Sequence, residues 1–312
     1  MMIRQSLSND AILRARPAKN VVDLDRPYAF LAEKECQPNG QIDDVAVLFL
    51  TNRECPYRCL MCDLWKNTTD ITVPVGSVPA QINHALRNLP PTNHIKLYNS
   101  GNFFDPLAIP VDDYAAIASL VKDFETVVVE NHPRMCGQRV PAFLDILKSE
   151  NAAITLEVAI GLETVHPAAL SFLNKQMTTQ DFRRACDYLG SLGVAMRAFV
   201  LLRPPTLSED EGREWAQRSI EFAFDCGVKT VSIIPTRGGN GVMEQLSQEG
   251  LFSPPSLESL ETVMAWGLSL GRGRVFADLW DGDRWRVNEI DWAARVERLR
   301  QMNLRQQLLP NP

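Results

Sequence analysis

Six short apolar runs, separated by stretches with helical spacing, constrain the fold of this chain more than any other feature. The runs are VAVLFL (45–50), HIKLYN (94–99), TVVVE (126–130), AITLEVAI (153–160), VAMRAFVLL (194–202) and TVSIIP (230–235). Between them lie PAQINHALRNL, VDDYAAIASLVKDF, PAFLDILKS, TTQDFRRACDYLGSLG and EDEGREWAQRSIEFAFDCG, the last two ending in a glycine placed as a helix C-cap. Such alternation means βα units, each helix a right-handed crossover between parallel strands. Parallel strands are covered on both faces, so the units build either an open sheet or a sheet curled into a barrel. GRVFADLW (273–280) reads as a seventh strand. Residues 1–40 read as an N-terminal extension, 41–280 as the α/β unit, and 281–312 as a tail whose DWAARVERLRQMNLRQQLL forms an amphipathic helix.

With 312 residues, one large α/β domain accommodates the chain. Hydrophobic residues at 45% and charged ones at 22% are ordinary soluble proportions, and no stretch approaches the roughly 18 apolar residues of a membrane helix. The start, MMIRQSLSNDAILRARPAKN, has no apolar core for a secretory signal, so the expected compartment is the cytoplasm, with no membrane partner. A net charge of -6 gives no global attraction to a phosphate backbone and leaves that task to a local patch of distant Arg residues. Seven cysteines in so long a chain do not resemble a secreted disulfide framework; reduced thiols or a metal fit better.

Three of those cysteines fall in TNRECPYRCLMCDLW, directly after the first strand, as Cys55, Cys59 and Cys62. In parallel α/β folds the ends of the strands form the rim where chemistry is placed, and Asn99, Ser100, Glu130, Asn131, Thr236 and Arg237 end other strands. Thiolates at C-x3-C-x2-C select zinc or an iron-sulfur cluster. Structural zinc needs a fourth ligand; Cys36, His84, His94, His132 and Cys136 are conceivable, but none repeats the paired spacing of a zinc ribbon. Unliganded core cysteines are a weaker reading, because ECPYRC is too polar for a core. A four-iron cluster held by three thiolates keeps one iron free to chelate an amine and a carboxylate.

The loop resembles the cluster motif of the radical S-adenosylmethionine (SAM) superfamily, whose fold is a partial (β/α)6 TIM-like barrel of parallel strands. Over residues 45–260 the phrases IKLYNSGNFFDP, EVAIGLET, LLRPPTLSEDE and TVSIIP are most similar to the Elp3-type branch, the radical enzyme of archaeosine formation in tRNA and uncharacterised bacterial relatives. The resemblance implies that Cys55, Cys59 and Cys62 hold a 4Fe-4S cluster whose open iron binds SAM. Reductive cleavage then yields a 5'-deoxyadenosyl radical that removes hydrogen from a substrate. It implies an electron donor such as flavodoxin or ferredoxin, and as substrate a modified tRNA base, presented with a tRNA-modifying partner protein. Alternatives are a small metabolite or peptide substrate, an inactive partner of another enzyme, and a non-catalytic zinc-stabilised binding protein.

Residue by residue, the resemblance places Met61 near the adenine, where the family usually has an aromatic ring; a thioether also covers an apolar ring face. Asn99, Ser100 and Gly101 stand where Gly-Gly-Glu usually holds the SAM amine, and Glu163 in GLET matches positions that bind the ribose hydroxyls. Glu130 ends the third strand on the same rim. Alternation puts Thr155, Glu157 and Ala159 on the lumen face of their strand, where Glu157 needs a partner. Arg197 is the candidate, either reaching the SAM carboxylate with Glu157 behind it or forming a purely structural ion pair. His132 and His166 each precede a proline and read as surface turns, while Asn174 and Lys175 read as a helix end. The glycines of TRGGNG would let backbone approach the adenosine; Cys186 and Cys226 read as buried small hydrophobes.

Overall fold

Each of the six expected strands forms, and each lies beside the next in the chain. The computed structural model describes residues 7–286 and 291–310. Among these, eight strands make one sheet in sequence order: β1 (Ala29–Cys36), β2 (Ile42–Phe49), β3 (His94–Tyr98), β4 (Thr126–Asn131), β5 (Thr155–Glu163), β6 (Ala195–Leu202), β7 (Thr230–Pro235) and β8 (Arg274–Ala277). From β2 to β8 every pairing is parallel. The expected seventh strand is β8, and the C-terminal tail is helical as expected. The extension is not merely a flank: its β1 pairs antiparallel with β2 from Ala29↔Phe49 to Cys36↔Ile42.

The helices are α1 (Asn9–Ala15), α2 (Ser77–Asn88), α3 (Tyr114–Val121), α4 (Arg139–Glu150), α5 (Pro167–Phe172), α6 (Thr179–Ser191), α7 (Glu209–Asp225), α8 (Val242–Gln248), α9 (Leu257–Ser269) and α10 (Trp292–Arg305). Capping boxes start α6, with Thr178 and Asp181, and α7, with Ser208 and Glu211. Both end where the glycines predicted, at Gly193 (φ 70) and Gly227 (φ 87), left-handed positions that disfavour a side chain. Among the described residues no helix is long and apolar enough to cross a membrane.

Side chains alternate across the sheet. Leu48, Leu97, Val129, Val158, Val200 and Ile233 point outward into one core that the helices share, through residues such as Ile82, Ile117, Leu147 and Ile220. The opposite face is concave. There Lys96, Glu157 and Arg197, each the third residue of its strand, meet Glu35 of β1 near the N-terminal ends of the parallel strands. Arg197 donates to Glu157 Oε1 (2.7 Å) and to both oxygens of Glu35 (2.6 and 3.1 Å), and Lys96 bonds Glu33 and Glu35. Arg274 of β8 reaches the Cys36 carbonyl of β1 (2.7 Å) and Thr230 (2.8 Å), so the two edges of the sheet approach each other around this ionic floor. Helix α10 covers both β1 and β8 and adds Val296, Leu299 and Met302 to the core.

Candidate functional site

Above that floor, the C-terminal ends of β2, β3, β4 and β5 carry the loops that build the rim. The loop after β2 closes on itself where Glu54 N–H donates to the Thr69 carbonyl (2.9 Å) and Thr69 N–H to that of Asn52 (2.9 Å). Within it, Cys62 N–H reaches the Cys59 carbonyl (3.2 Å) and the Trp65 indole holds the Cys62 carbonyl (3.0 Å). Distant segments fix it further. Leu60 N–H donates to the Leu173 carbonyl (2.8 Å), Asn174 Nδ2 to that of Arg58 (2.8 Å), and Asn240 Nδ2 to those of Leu60 (2.7 Å) and Cys62 (3.1 Å). The Tyr57 ring stacks on His132 at 3.8 Å between centroids.

An N-terminal strap covers the outside of this loop. Ile12 of α1 packs with Leu60, Phe172, Val242, Met243 and Leu246, and Met61 joins the edge of that cluster. Arg16 pairs with Glu54 (2.7 Å) and lies over the Trp65 ring, while Lys19 bridges Glu54 and Asp70. Gly241 is required here because a Cβ would collide with the Ala15 carbonyl. The glycines of TRGGNG therefore serve, at Gly241, the docking of α1.

The three thiols lie within electrostatic reach of one another, and burial pushes each of them up, Cys59 to about 11. A thiol buried this way becomes a thiolate only beside a strong cation. Among the described residues no group of three or more His, Cys, Asp or Glu side chains is arranged to hold a metal ion. An iron-sulfur cluster would take each of the three thiolates on a different iron.

Facing the cysteines is the Asn99–Ser100–Gly101 turn. Glu130 shapes it: Oε1 accepts from the N–H of Asn99 (2.6 Å) and of Gly101 (3.2 Å). Ser100 has φ 55 and its hydroxyl bonds Tyr28 Oη (2.9 Å), which ties in β1. A Cβ on Gly101 would stand 3.4 Å from Cys55 Cβ, so this turn lies directly against the cysteine loop. Asn99 is 0% exposed, and neither of its amide atoms has a partner among the described residues. An unsatisfied buried amide is costly, and a polar ligand would satisfy it.

Burial pushes the Glu130 carboxyl up to about 7, against the N–H groups that favour its charge. A raised carboxyl pKa stabilises the fold fully below the unfolded value of about 4.5, and that contribution is lost as pH rises through 7. Urea unfolding of the metal-free protein between about pH 5 and about pH 8 is therefore expected to show a pH-dependent loss of up to about 3 kcal/mol that Glu130→Gln removes.

Glu163 ends β5 at φ 64, after a register shift from Gly161. Its Oε1 accepts from Lys175 Nζ (2.7 Å), a pair buried on both sides. A Cβ on Gly161 would strike both ends of this pair. Lys175 does not finish a helix; it is a buried cation beside the cysteine loop. His132 is likewise no surface turn: it is 5% exposed, and Nε2 bonds the Lys175 carbonyl (3.0 Å). Burial pushes it down to about 3, so its ring is neutral. His166 is half-buried and caps α5, accepting from Ala169 N–H (3.0 Å). Asn102 was also missed; its Nδ2 donates to Cys55 Sγ (3.1 Å).

Of the residues expected at the site, Asn99, Ser100, Gly101, Glu130 and Glu163 lie at strand ends beside the cysteine loop, and Met61, within that loop, packs against the apolar cluster under α1. Glu157 and Arg197 lie in the ionic floor instead, with the guanidinium already engaged by two carboxylates.

No family model matches the chain. By sequence it is similar to the archaeosine synthase beta subunits of Methanosarcina acetivorans, 29% identical over 66% of this chain, and of Thermococcus kodakarensis, 26% identical over 67%. The matched part spans 60% and 65% of those relatives' own lengths. Among solved structures it is similar to Elp3 of Methanocaldococcus infernus, with a TM-score of 0.51 and 17% identity over 75% of this chain and 56% of that one. The chain is thus similar in sequence to the archaeosine synthase beta subunits, and its fold is similar to that of Elp3.

Proposed function

We propose that the protein is a radical SAM enzyme in which Cys55, Cys59 and Cys62 hold a 4Fe-4S cluster and the neighbouring rim binds SAM. The observation that carries this reading is the cysteine loop at the end of β2, where half-buried Cys55 meets the Asn102 amide and the Gly101 end of a turn whose Asn99 amide is buried and unpartnered among the described residues. Asn99 and the carbonyls of its turn receive the amino-acid end of SAM, and Glu130 holds that turn in shape. Glu163 has acceptor capacity beyond its bond to Lys175 and takes the ribose hydroxyls. Met61 covers the adenine face. When bound, the cluster supplies the electron that cleaves SAM and so starts hydrogen abstraction. The strap and the apolar cluster under α1 keep water from the loop.

For the substrate, the relatives' name supports a tRNA-modification context with a partner subunit, and we extend it to this chain: a modified tRNA base, with flavodoxin or ferredoxin as electron donor. A planar base suits the concave face between floor and rim. There the partly exposed rings of Phe49, Tyr98 and Phe199 form a chain with centroids 6.0 and 6.3 Å apart, and Trp280 stands against Phe49.

Anaerobic reconstitution tests the core of the reading: the protein should turn brown, bind iron and sulfide, and release 5'-deoxyadenosine from SAM with dithionite. A colourless protein that binds zinc instead would end it. Asn99→Leu gives a second check. Removing the unsatisfied amide is expected to raise metal-free stability by about 1 kcal/mol in urea while weakening SAM binding by about tenfold in equilibrium dialysis. A merely structural Asn99 would lower stability and leave SAM binding alone.

A further inference from the structure

We propose that Asn102 and Lys175 set the reduction potential of the cluster, Asn102 through a hydrogen bond to a ligand sulfur and Lys175 through a fixed positive charge. The inference rests on the cluster reading above. Asn102 is 1% exposed, and its orientation is determined rather than free: Oδ1 accepts from His132 N–H (2.6 Å), so the donor end, Nδ2, faces Cys55 Sγ at 3.1 Å. Lys175 is 6% exposed and held on three sides. Its ammonium meets Glu163 Oε1 at 2.7 Å, its carbonyl takes the His132 ring at 3.0 Å, and Leu173 and Asn174 before it are bonded to Leu60 and Arg58. The segment carrying the cation is therefore stitched to the stretch carrying Cys59, and His132 links it to Asn102.

Reduction adds one negative charge to the cluster. An N–H dipole on a ligand sulfur and a buried cation nearby both favour that state, and low polarity around them strengthens the effect. Glu163 opposes Lys175, so the pair gives the two residues opposite signs of influence. Neither Asn102 nor Lys175 need touch the substrate; both are positioning residues.

The test is a redox titration followed by electron paramagnetic resonance on the reconstituted full chain, without SAM. Asn102→Leu and Lys175→Met should each lower the reduced-to-oxidised ratio at the wild-type midpoint about tenfold, a shift of about 59 mV to more negative potential for one electron. Glu163→Gln should shift it the other way, and Lys175→Arg should restore it. A packing defect would not reverse sign between Lys175 and Glu163. Lys175→Met made together with Glu163→Gln removes both charges and should bring the midpoint back toward the wild-type value, and if the single lysine variant fails to fold, Asn102→Leu and Glu163→Gln carry the test. Unchanged midpoints in Asn102→Leu, Lys175→Met and Glu163→Gln, at wild-type iron content, overturn the inference and leave the cluster reading intact. A wild-type protein that takes up no iron and sulfide overturns both.

Discussion

Cys59→Ala is expected to leave a folded protein that retains almost no iron or sulfide and releases no 5'-deoxyadenosine above background, whereas Cys186→Ala keeps both. The contrast follows from where the thiols lie. Cys59 sits in the loop between Cys55 and Cys62, whose backbone is held by Leu173, Asn174 and Asn240, so no other side chain can swing into its place. The remaining cysteines are committed elsewhere. Cys36 belongs to β1 at the floor, its carbonyl on Arg274, and Cys136 accepts from Asn131. Cys186 and Cys226 are buried on α6 and at the end of α7. Losing the Cys186 sulfur removes a small buried group, at a cost of about 1 kcal/mol in urea. Iron and sulfide assays on both variants, with the urea midpoint as control, decide the matter; equal iron loss in both would sink the assignment.

Arg197→Met is expected to lower stability by about 3–5 kcal/mol, the second large effect, while leaving the SAM affinity of the folded protein unchanged. The guanidinium joins Glu157 and Glu35, both nearly dry, and its removal leaves Glu35 to Lys96 and Glu157 to the more distant Arg274 (3.6 Å). Burial alone would raise Glu35, but Arg197 and Lys96 overcome it and hold the carboxyl well below the usual range. Such a depressed value contributes stability above the unfolded pKa of about 4.5 that is lost as pH falls, so the variant should also show a shallower acid transition. Replacing Arg197, Glu35 and Glu157 together by apolar residues of similar volume should recover most of the loss, because a dry ion cluster is costly chiefly when broken. Urea midpoints and SAM dialysis separate this from a binding role, in which affinity would fall and stability hold.

The sheet was legible because its parallel strands are largely buried and read as short apolar runs, as TVVVE does, interrupted where Lys96, Glu157 and Arg197 turn to the floor. The capping boxes at Thr178 and Ser208 and the glycines at 193 and 227 were equally local signals. Strand β1 gave none: AFLAEKEC runs from four apolar residues into Glu-Lys-Glu, and Glu33 and Glu35 turn inward to the floor. Their cations stand 61 and 162 residues away, beyond any sequence window. The cysteine spacing announced the site, and the residues flanking it on neighbouring strand ends followed. Lys175, Asn102 and Asn240 did not, since each acquires its role only when a loop 47 or more residues distant folds against it.

The clasp over the cysteine loop has a consequence for biosynthesis. Helix α1 is made before the loop it covers, yet its seat includes Leu60, Phe172 and the Val242–Leu246 turn of α8, so it can settle only after those segments have emerged. The cysteine loop is complete from Cys62 onward and stays uncapped throughout that interval. A helix made early docks late.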